Sequence, residues 1–174
     1  MEDLARLGDS VTLREAVPAD LPEVVALLAA DQLGVHREVA DDLEPYRAAF
    51  DAITADPAHL LLVAHDSARV IGTMQLSFIP GLARRGAWRA QIEAVRVHED
   101  VRGGGLGARM MEWAIDEARR RGCALVQLTT DKRRSDAHRF YERLGFVASH
   151  EGMKLALSPS QSSHAGSTSP ASRA

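Results

Sequence analysis

The sequence predicts an α/β fold: one domain with a mixed, predominantly antiparallel central sheet flanked by helices. Three observations lead there. Residues 59–65 and residues 69–79 are β-rich runs joined only by Asp66-Ser67-Ala68, a connection short enough for an antiparallel hairpin. A β-like run at residues 88–97, a helical stripe beginning at Leu106 and an apolar run at residues 123–129 then follow as strand, helix, strand, and such a crossover makes the two strands parallel. The 174 residues, 45% hydrophobic and 26% charged, suffice for one packed core and leave no room for a second.

The elements can be justified in order. The first ten residues are expected to fray, so the domain is placed at residues 11–157. Val11-Thr12-Leu13-Arg14 alternates as a short strand, and Pro18-Ala19-Asp20 opens a helix carrying Leu21, Val24, Val25, Leu27 and Leu28 to about Leu33, where Gly34 ends it. A second helix is expected over residues 41–55, with Leu43, Tyr46, Phe50 and Ile53 at helical spacing before Asp56-Pro57 closes it. The hairpin follows, then a loop at residues 80–86 and the strand at residues 88–97. Leu106, Met110, Met111, Trp113, Ala114 and Ala118 form the next helical stripe, ended by Arg119-Arg120-Arg121-Gly122, where cations suit the negative helix end and glycine supplies the cap. Residues 123–129 read as a buried strand and residues 135–144 as a helix stopped by Gly145. Phe146-Val147 and residues 153–157 are expected to be closing strands. Residues 158–174 hold seven serines and no large apolar side chain, so they read as a disordered Ser/Pro/Ala-rich tail.

The composition narrows the partners. The 21 basic and 24 acidic residues give a net charge of −3, which provides no basic field for nucleic acid or an anionic membrane. A small-molecule ligand is expected, and a homodimer is allowed. Cys123 is alone, so neither an intrachain disulfide nor a cysteine cluster can form, and the seven histidines show no ligand spacing, so no metal is expected. The acidic N-terminal residues and short apolar runs suit neither a signal peptide nor a membrane span, and the expected location is the cytoplasm.

The chemistry is concentrated after the third strand, in Val95-Arg96-Val97-His98-Glu99-Asp100-Val101-Arg102-Gly103-Gly104-Gly105-Leu106-Gly107-Ala108. A strand enters a glycine cluster and then a helix. Free backbone N–H groups at the positive helix end are therefore exposed with no Cβ in a ligand's way, which makes an anion cradle. Arg102 adds a charge suited to pyrophosphate. A Walker loop is excluded because Gly107 is followed by Ala108-Arg109 rather than Lys-Ser or Lys-Thr. Gly103-x-Gly105-x-x-Ala108 matches the relaxed dinucleotide fingerprint, with Asp131 somewhat beyond the ~20 residues expected for a ribose-binding acid. There, however, the strand feeds directly into the first glycine, whereas here His98-Glu99-Asp100 and Arg102 intervene.

The residues resemble the GNAT superfamily of acyl-coenzyme-A-dependent N-acetyltransferases. Arg102, Gly105 and Gly107 meet its Arg/Gln-x-x-Gly-x-Gly/Ala pattern after a strand ending Val-x-Val, and Ala137-His138-Arg139-Phe140-Tyr141-Glu142-Arg143-Leu144-Gly145-Phe146 is similar to its second cofactor motif. The run from Asp136 to Tyr141 is similar to bacterial aminoalkylphosphonate-type acetyltransferases in particular. Two positions depart from the pattern: Glu99 stands where members often have Pro, and Arg134 where they often have Asn.

The resemblance implies a GNAT-like sheet with acetyl-CoA between two splayed, central parallel strands. It implies an enzyme, an acetyl-CoA-dependent N-acetyltransferase acting on a primary amine of a small molecule by direct attack on the thioester. The alternatives are a protein N-terminal or lysine acetyltransferase and a catalytically inactive coenzyme-A-binding sensor. The cofactor-binding residues implied are Val95, Val97, Arg102, Gly103, Gly104, Gly105, Leu106, Gly107, Ala108, Ala137 and Phe140. An alkylammonium with a pKa near 10.4 must lose a proton before it attacks, which costs about 4.6 kcal/mol at pH 7, so a base is needed. Glu93 is the candidate, on the strand before the glycine loop and, by simple alternation, on the face of Val95 and Val97. The family's oxyanion donor, a backbone N–H, maps to about Val95. Tyr141 maps to the acid that protonates the departing thiolate, its phenol still protonated at pH 7.

Overall fold

The structure is a computed structural model that describes residues 3–30 and 42–157. The expected end of the first helix at Leu33 and Gly34, the expected start of the second at Asp41 and the tail at residues 158–174 lie outside the described residues.

Among the described residues six strands form one sheet in the order β1 (Ala5–Arg6), β2 (Thr12–Glu15), β3 (His59–His65), β4 (Val70–Ile79), β5 (Trp88–Val97) and β6 (Cys123–Leu128). All neighbours are antiparallel except β5 and β6, which are parallel because α4 (Leu106–Arg120) crosses between them. The remaining helices are α1 (Leu21–Ala29), α2 (Glu44–Ala55), the single turn α3 (Ala83–Gly86) and α5 (Ser135–Arg143).

The sheet is covered on both faces, and β3 records this in its sequence. Its run His-Leu-Leu-Leu-Val-Ala-His is apolar on both sides, as a strand sandwiched between layers must be. Leu60, Leu62 and Ala64 join the cluster formed with Met110, Met111, Ala114 and Ala118 of α4, whereas Leu61 and Val63 join the cluster formed with Val24, Val25 and Leu27 of α1 and Phe50 of α2. Each such side chain contributes roughly 1.5–3 kcal/mol on burial. Asp66 makes the β3–β4 turn by accepting hydrogen bonds from the Ala68 and Arg69 N–H groups at 2.8 and 2.9 Å, which hold its carboxyl below the usual range.

The entry to α1 is anchored by a buried ion pair. Arg14 of β2 donates to both carboxylate oxygens of Asp20 at 2.6 and 2.8 Å, and the Val17 N–H donates to the same carboxylate at 2.7 Å. Burial pushes the Asp20 carboxyl up, but these bonds and the Arg14 charge outweigh it and hold the carboxyl below its ordinary range. With Pro22 in the first turn of α1, the pair sets where α1 leaves the sheet.

Three expectations are corrected. The first ten residues are not all frayed: β1 pairs with β2 through Ala5↔Leu13, and Leu7 is buried. Phe146-Val147 and residues 153–157 do not join the sheet; Val147, Met153, Leu155 and Leu157 are exposed. The parallel pair is therefore not central, since β6 is the outer strand among the described residues. A short apolar alternation does not by itself specify a strand, because the hydrogen-bonding partner lies far away in sequence.

Candidate active site

The opening between β5 and β6 follows from their registers. The strands pair from Trp88↔Cys123 to Ile92↔Leu128, where β6 ends, while β5 continues through Glu93 to Val97 beside β4. Beyond Ile92 the edge of β5 thus faces a gap, with α5 and the glycine loop on its margin.

A β-bulge sits at this point. On the β4 side Gln75 pairs with Glu93 and Thr73 with Arg96, so Met74 opposes both Ala94 and Val95, and Ala94 takes a left-handed φ of 55°. The extra residue reverses the alternation. Val95 and Val97 pack against the cluster on the α4 face, whereas Glu93 and Arg96 share the opposite face with Gln75 and Thr73. The expectation that Glu93 shares a face with Val95 and Val97 is therefore wrong, because simple alternation holds only in a strand without a bulge. Glu93 is exposed on the α1 side of the sheet, and the Val95 backbone lies in the bulge at the edge of the gap.

The glycine loop follows a 3₁₀ turn at Glu99–Val101. Gly103 and Gly105 hold φ of 81° and 78°, the region that favours glycine, and Gly103, Gly104 and Gly105 are exposed. The Arg109 N–H is bonded to the Gly105 carbonyl at 3.1 Å, so the amides of Leu106, Gly107 and Ala108 lie in the first turn of α4, before that bond. The Leu106 side chain points into the core, so only its backbone can serve a ligand. A Cβ at Gly107 would stand 3.6 Å from Val97 Cγ2 and 3.7 Å from Phe140 Cζ, in the crevice between β5, the loop and α5. The Arg102 side chain is exposed and donates from Nε to the Val97 carbonyl at 3.0 Å. The cradle fits a pyrophosphate: consecutive helix-end amides, open glycines and a guanidinium at one place.

Arg109 was not a candidate in the sequence. Its Nη1 donates to the Gly104 carbonyl at 3.1 Å and its Nε to the Leu7 carbonyl at 2.6 Å, bracing the loop against the N-terminal strand region. No local signal marks it, since Leu7 is 102 residues away.

On α5, Ala137 and Tyr141 lie one turn apart on the same face, both half-buried. The Tyr141 ring meets Phe140 edge to face at 5.1 Å and Phe146 at 5.9 Å. Burial pushes its phenol up, and the charges of Arg134 and Arg96 pull it partly back, leaving it above the ordinary value. The Tyr141 phenol thus keeps its proton at neutral pH. Arg134 is exposed at the N-terminal end of α5, close enough for its charge to reach that phenol.

Other residues fall elsewhere. Cys123 begins β6 opposite Trp88, at the far end from the gap, and burial pushes its thiol up, which disfavours the thiolate. Arg84 and Arg85 are exposed in α3, before β5 begins and so at its opposite end from the glycine loop. Among the described residues no three His, Cys, Asp or Glu side chains are grouped to hold a metal. The dinucleotide reading fails on topology: the 3₁₀ turn separates β5 from the glycines, and the sheet is antiparallel but for one pair.

Known proteins are similar to this chain in sequence or in fold. An aminoalkylphosphonate N-acetyltransferase of Salmonella typhimurium is 33% identical over 145 residues, 83% of this chain and 90% of that protein. An L-methionine sulfoximine/L-methionine sulfone acetyltransferase of Pseudomonas paraeruginosa is 29% identical over 150 residues, 80% of this chain and 82% of that one. A solved structure from Bacillus halodurans C-125, described as a transcriptional regulator, superposes with a TM-score of 0.82 at 48% identity, covering 84% of this chain and 99% of that one. The sequence profile of the Acetyltransferase (GNAT) family, which uses acetyl-CoA as cosubstrate, matches residues 22–146. With that match spanning α1 to the end of α5, the chain belongs to the GNAT acetyltransferase family.

Proposed function

We propose that this protein transfers the acetyl group of acetyl-CoA to the primary amine of a small molecule, by direct attack of the amine on the thioester. The observation that carries the reading is the gap beyond Ile92↔Leu128, which has Tyr141 on the α5 side and Glu93 on the opposite face. An acetyl donor held by the Gly103 to Ala108 backbone and Arg102, and lying along Val95, Val97, Ala137 and Phe140, reaches that gap from the glycine-loop side. The acceptor comes from the α1 face.

Each residue meets a physical need. Glu93 takes the ammonium proton, directly or through one water. The Val95 N–H, at the bulge, donates to the oxygen on which negative charge builds during attack. Tyr141, kept protonated by its burial, gives its proton to the departing sulfur. The acceptors in the names of the two relatives, an aminoalkylphosphonate and an amino acid derivative, each pair an amine with an anionic group, and we extend that class to this protein.

The test is thiol release from acetyl-CoA across a panel of aminoalkylphosphonates, amino acids, neutral alkylamines and peptides. Turnover with a small amine and none with peptides is expected. A second reading, a coenzyme-A-binding sensor without catalysis, draws on the relative described as a transcriptional regulator. It predicts tight acetyl-CoA binding and no thiol release with any amine.

A further inference from the structure

We propose that Arg109 is a positioning residue for the acetyl donor: it fixes the direction of the glycine-loop amides that meet the pyrophosphate. This rests on the reading of the Gly103 to Ala108 backbone as the acetyl-CoA cradle, and adds a side chain that lies beyond the Arg102 to Gly107 pattern.

A cradle of backbone amides works only if its carbonyls point elsewhere, because a carbonyl oxygen aimed at a phosphate repels it. Glycines do not hold that arrangement by themselves, since they move readily between positive and negative φ. The 3₁₀ turn secures its own carbonyls: His98 accepts from the Val101 N–H at 3.1 Å and Glu99 from the Arg102 N–H at 3.2 Å. Past that turn, Arg109 holds two successive carbonyls. Its Nη1 donates to the Gly104 carbonyl at 3.1 Å, and its backbone N–H donates to the Gly105 carbonyl, also at 3.1 Å. In a trans peptide the C=O and the N–H that follows it point in opposite directions. Holding the Gly104 and Gly105 carbonyls toward Arg109 therefore turns the Gly105 and Leu106 N–H groups away from it, out of the helix start.

The brace is anchored outside the loop. Arg109 Nε donates to the Leu7 carbonyl at 2.6 Å, and Leu7 is itself buried, with its N–H bonded to the Val11 carbonyl at 2.8 Å. The planar guanidinium is thus a rigid link between the N-terminal strand region and the loop. Gly105 is matched to it, since a Cβ there would stand 3.1 Å from Arg109 Nη1. Both side-chain bonds go to uncharged carbonyls and leave the positive charge uncancelled. A cation one turn into a helix opposes the helix dipole, and α4 has no acidic residue in its first turn. A pyrophosphate in the cradle offsets that charge.

The test compares two donors with the full chain: acetyl-CoA, and S-acetylpantetheine, which lacks the pyrophosphate. Arg109→Met, with an unbranched stem and no donors, should raise KM for acetyl-CoA and its calorimetric Kd by at least about fivefold, while KM for S-acetylpantetheine changes less than about twofold. Arg109→Lys, which keeps the charge but not the fork, should fall between Met and the parent. Equal losses with both donors would make Arg109 structural and overturn the proposal. A parent-like Arg109→Lys would overturn it too, since charge alone would then suffice. Gly107→Ala, measured alongside, separates this proposal from the reading beneath it. If only Gly107→Ala weakens acetyl-CoA binding, the cradle stands and the positioning role is lost; if neither variant does, the cradle reading itself fails.

Discussion

Replacing Tyr141 by Phe separates catalysis from cofactor binding. The substitution removes one hydroxyl and leaves the ring, whose edge-to-face contacts with Phe140 at 5.1 Å and Phe146 at 5.9 Å do not involve the oxygen. The stability change should therefore stay within about 1 kcal/mol. The effect on rate is larger. General acid catalysis is worth roughly 10²–10⁴-fold, and burial keeps this phenol protonated at neutral pH, so all of the parent enzyme carries the acid. Water can replace it in part, so single-turnover acetyl transfer should fall by at least about tenfold, or about 1.4 kcal/mol in the barrier. Acetyl-CoA affinity measured by calorimetry should change little, because the hydroxyl acts on charge that appears only as the sulfur departs. The pH dependence carries a sign as well. An acid must be protonated to work and this one is shifted upward, so its loss of activity belongs above the ordinary phenol value near 10, and Tyr141→Phe should lack that limb. A parent-like single turnover in Tyr141→Phe would refute the assignment and leave Tyr141 a packing residue.

Four further outcomes are expected. Gly107→Ala should fold like the parent, because its Cβ meets Val97 and Phe140 at ordinary contact distance, yet weaken acetyl-CoA binding by filling the crevice; Gly105→Ala, with φ of 78° and Arg109 Nη1 at 3.1 Å, should cost about 1–2 kcal/mol by denaturant titration. Glu93→Gln should lower turnover at pH 7 by at least about tenfold, with the deficit shrinking as pH approaches the acceptor's own pKa near 10.4, where the amine arrives deprotonated. Asp20→Asn, by leaving the buried Arg14 charge uncompensated, should destabilise by about 3–5 kcal/mol in thermal or urea unfolding. The Asp20 carboxyl is shifted downward, so its contribution is present above the usual carboxylate range and lost as pH falls through the folded value, and the variant should lack that acid-side loss.

The sequence by itself determined the elements whose signals are local. Period-2 and period-3.6 patterns located β3, β5, α4 and α5 to within a residue or so, because side-chain burial repeats with the backbone geometry. The short Asp66-Ser67-Ala68 connection specified the hairpin, and the glycines before α4 specified a loop with open amides, to which the structure adds the left-handed φ of Gly103 and Gly105. The strand, helix, strand order required the parallel pair. Tertiary structure alone decided features that depend on partners distant in the chain. The bulge at Ala94 arises from how β5 registers on β4, and alanine has no intrinsic preference for a φ of 55°, so no local pattern announces it. It nevertheless decides that Glu93 stands with Arg96 and not with Val95 and Val97. The bracing of the glycine loop by Arg109 requires the Leu7 carbonyl, and the β1 pairing requires β2 to be in place. The opening itself exists because β6 stops at Leu128 while β5 runs on to Val97, a difference in strand length that becomes a site only when the two strands lie side by side.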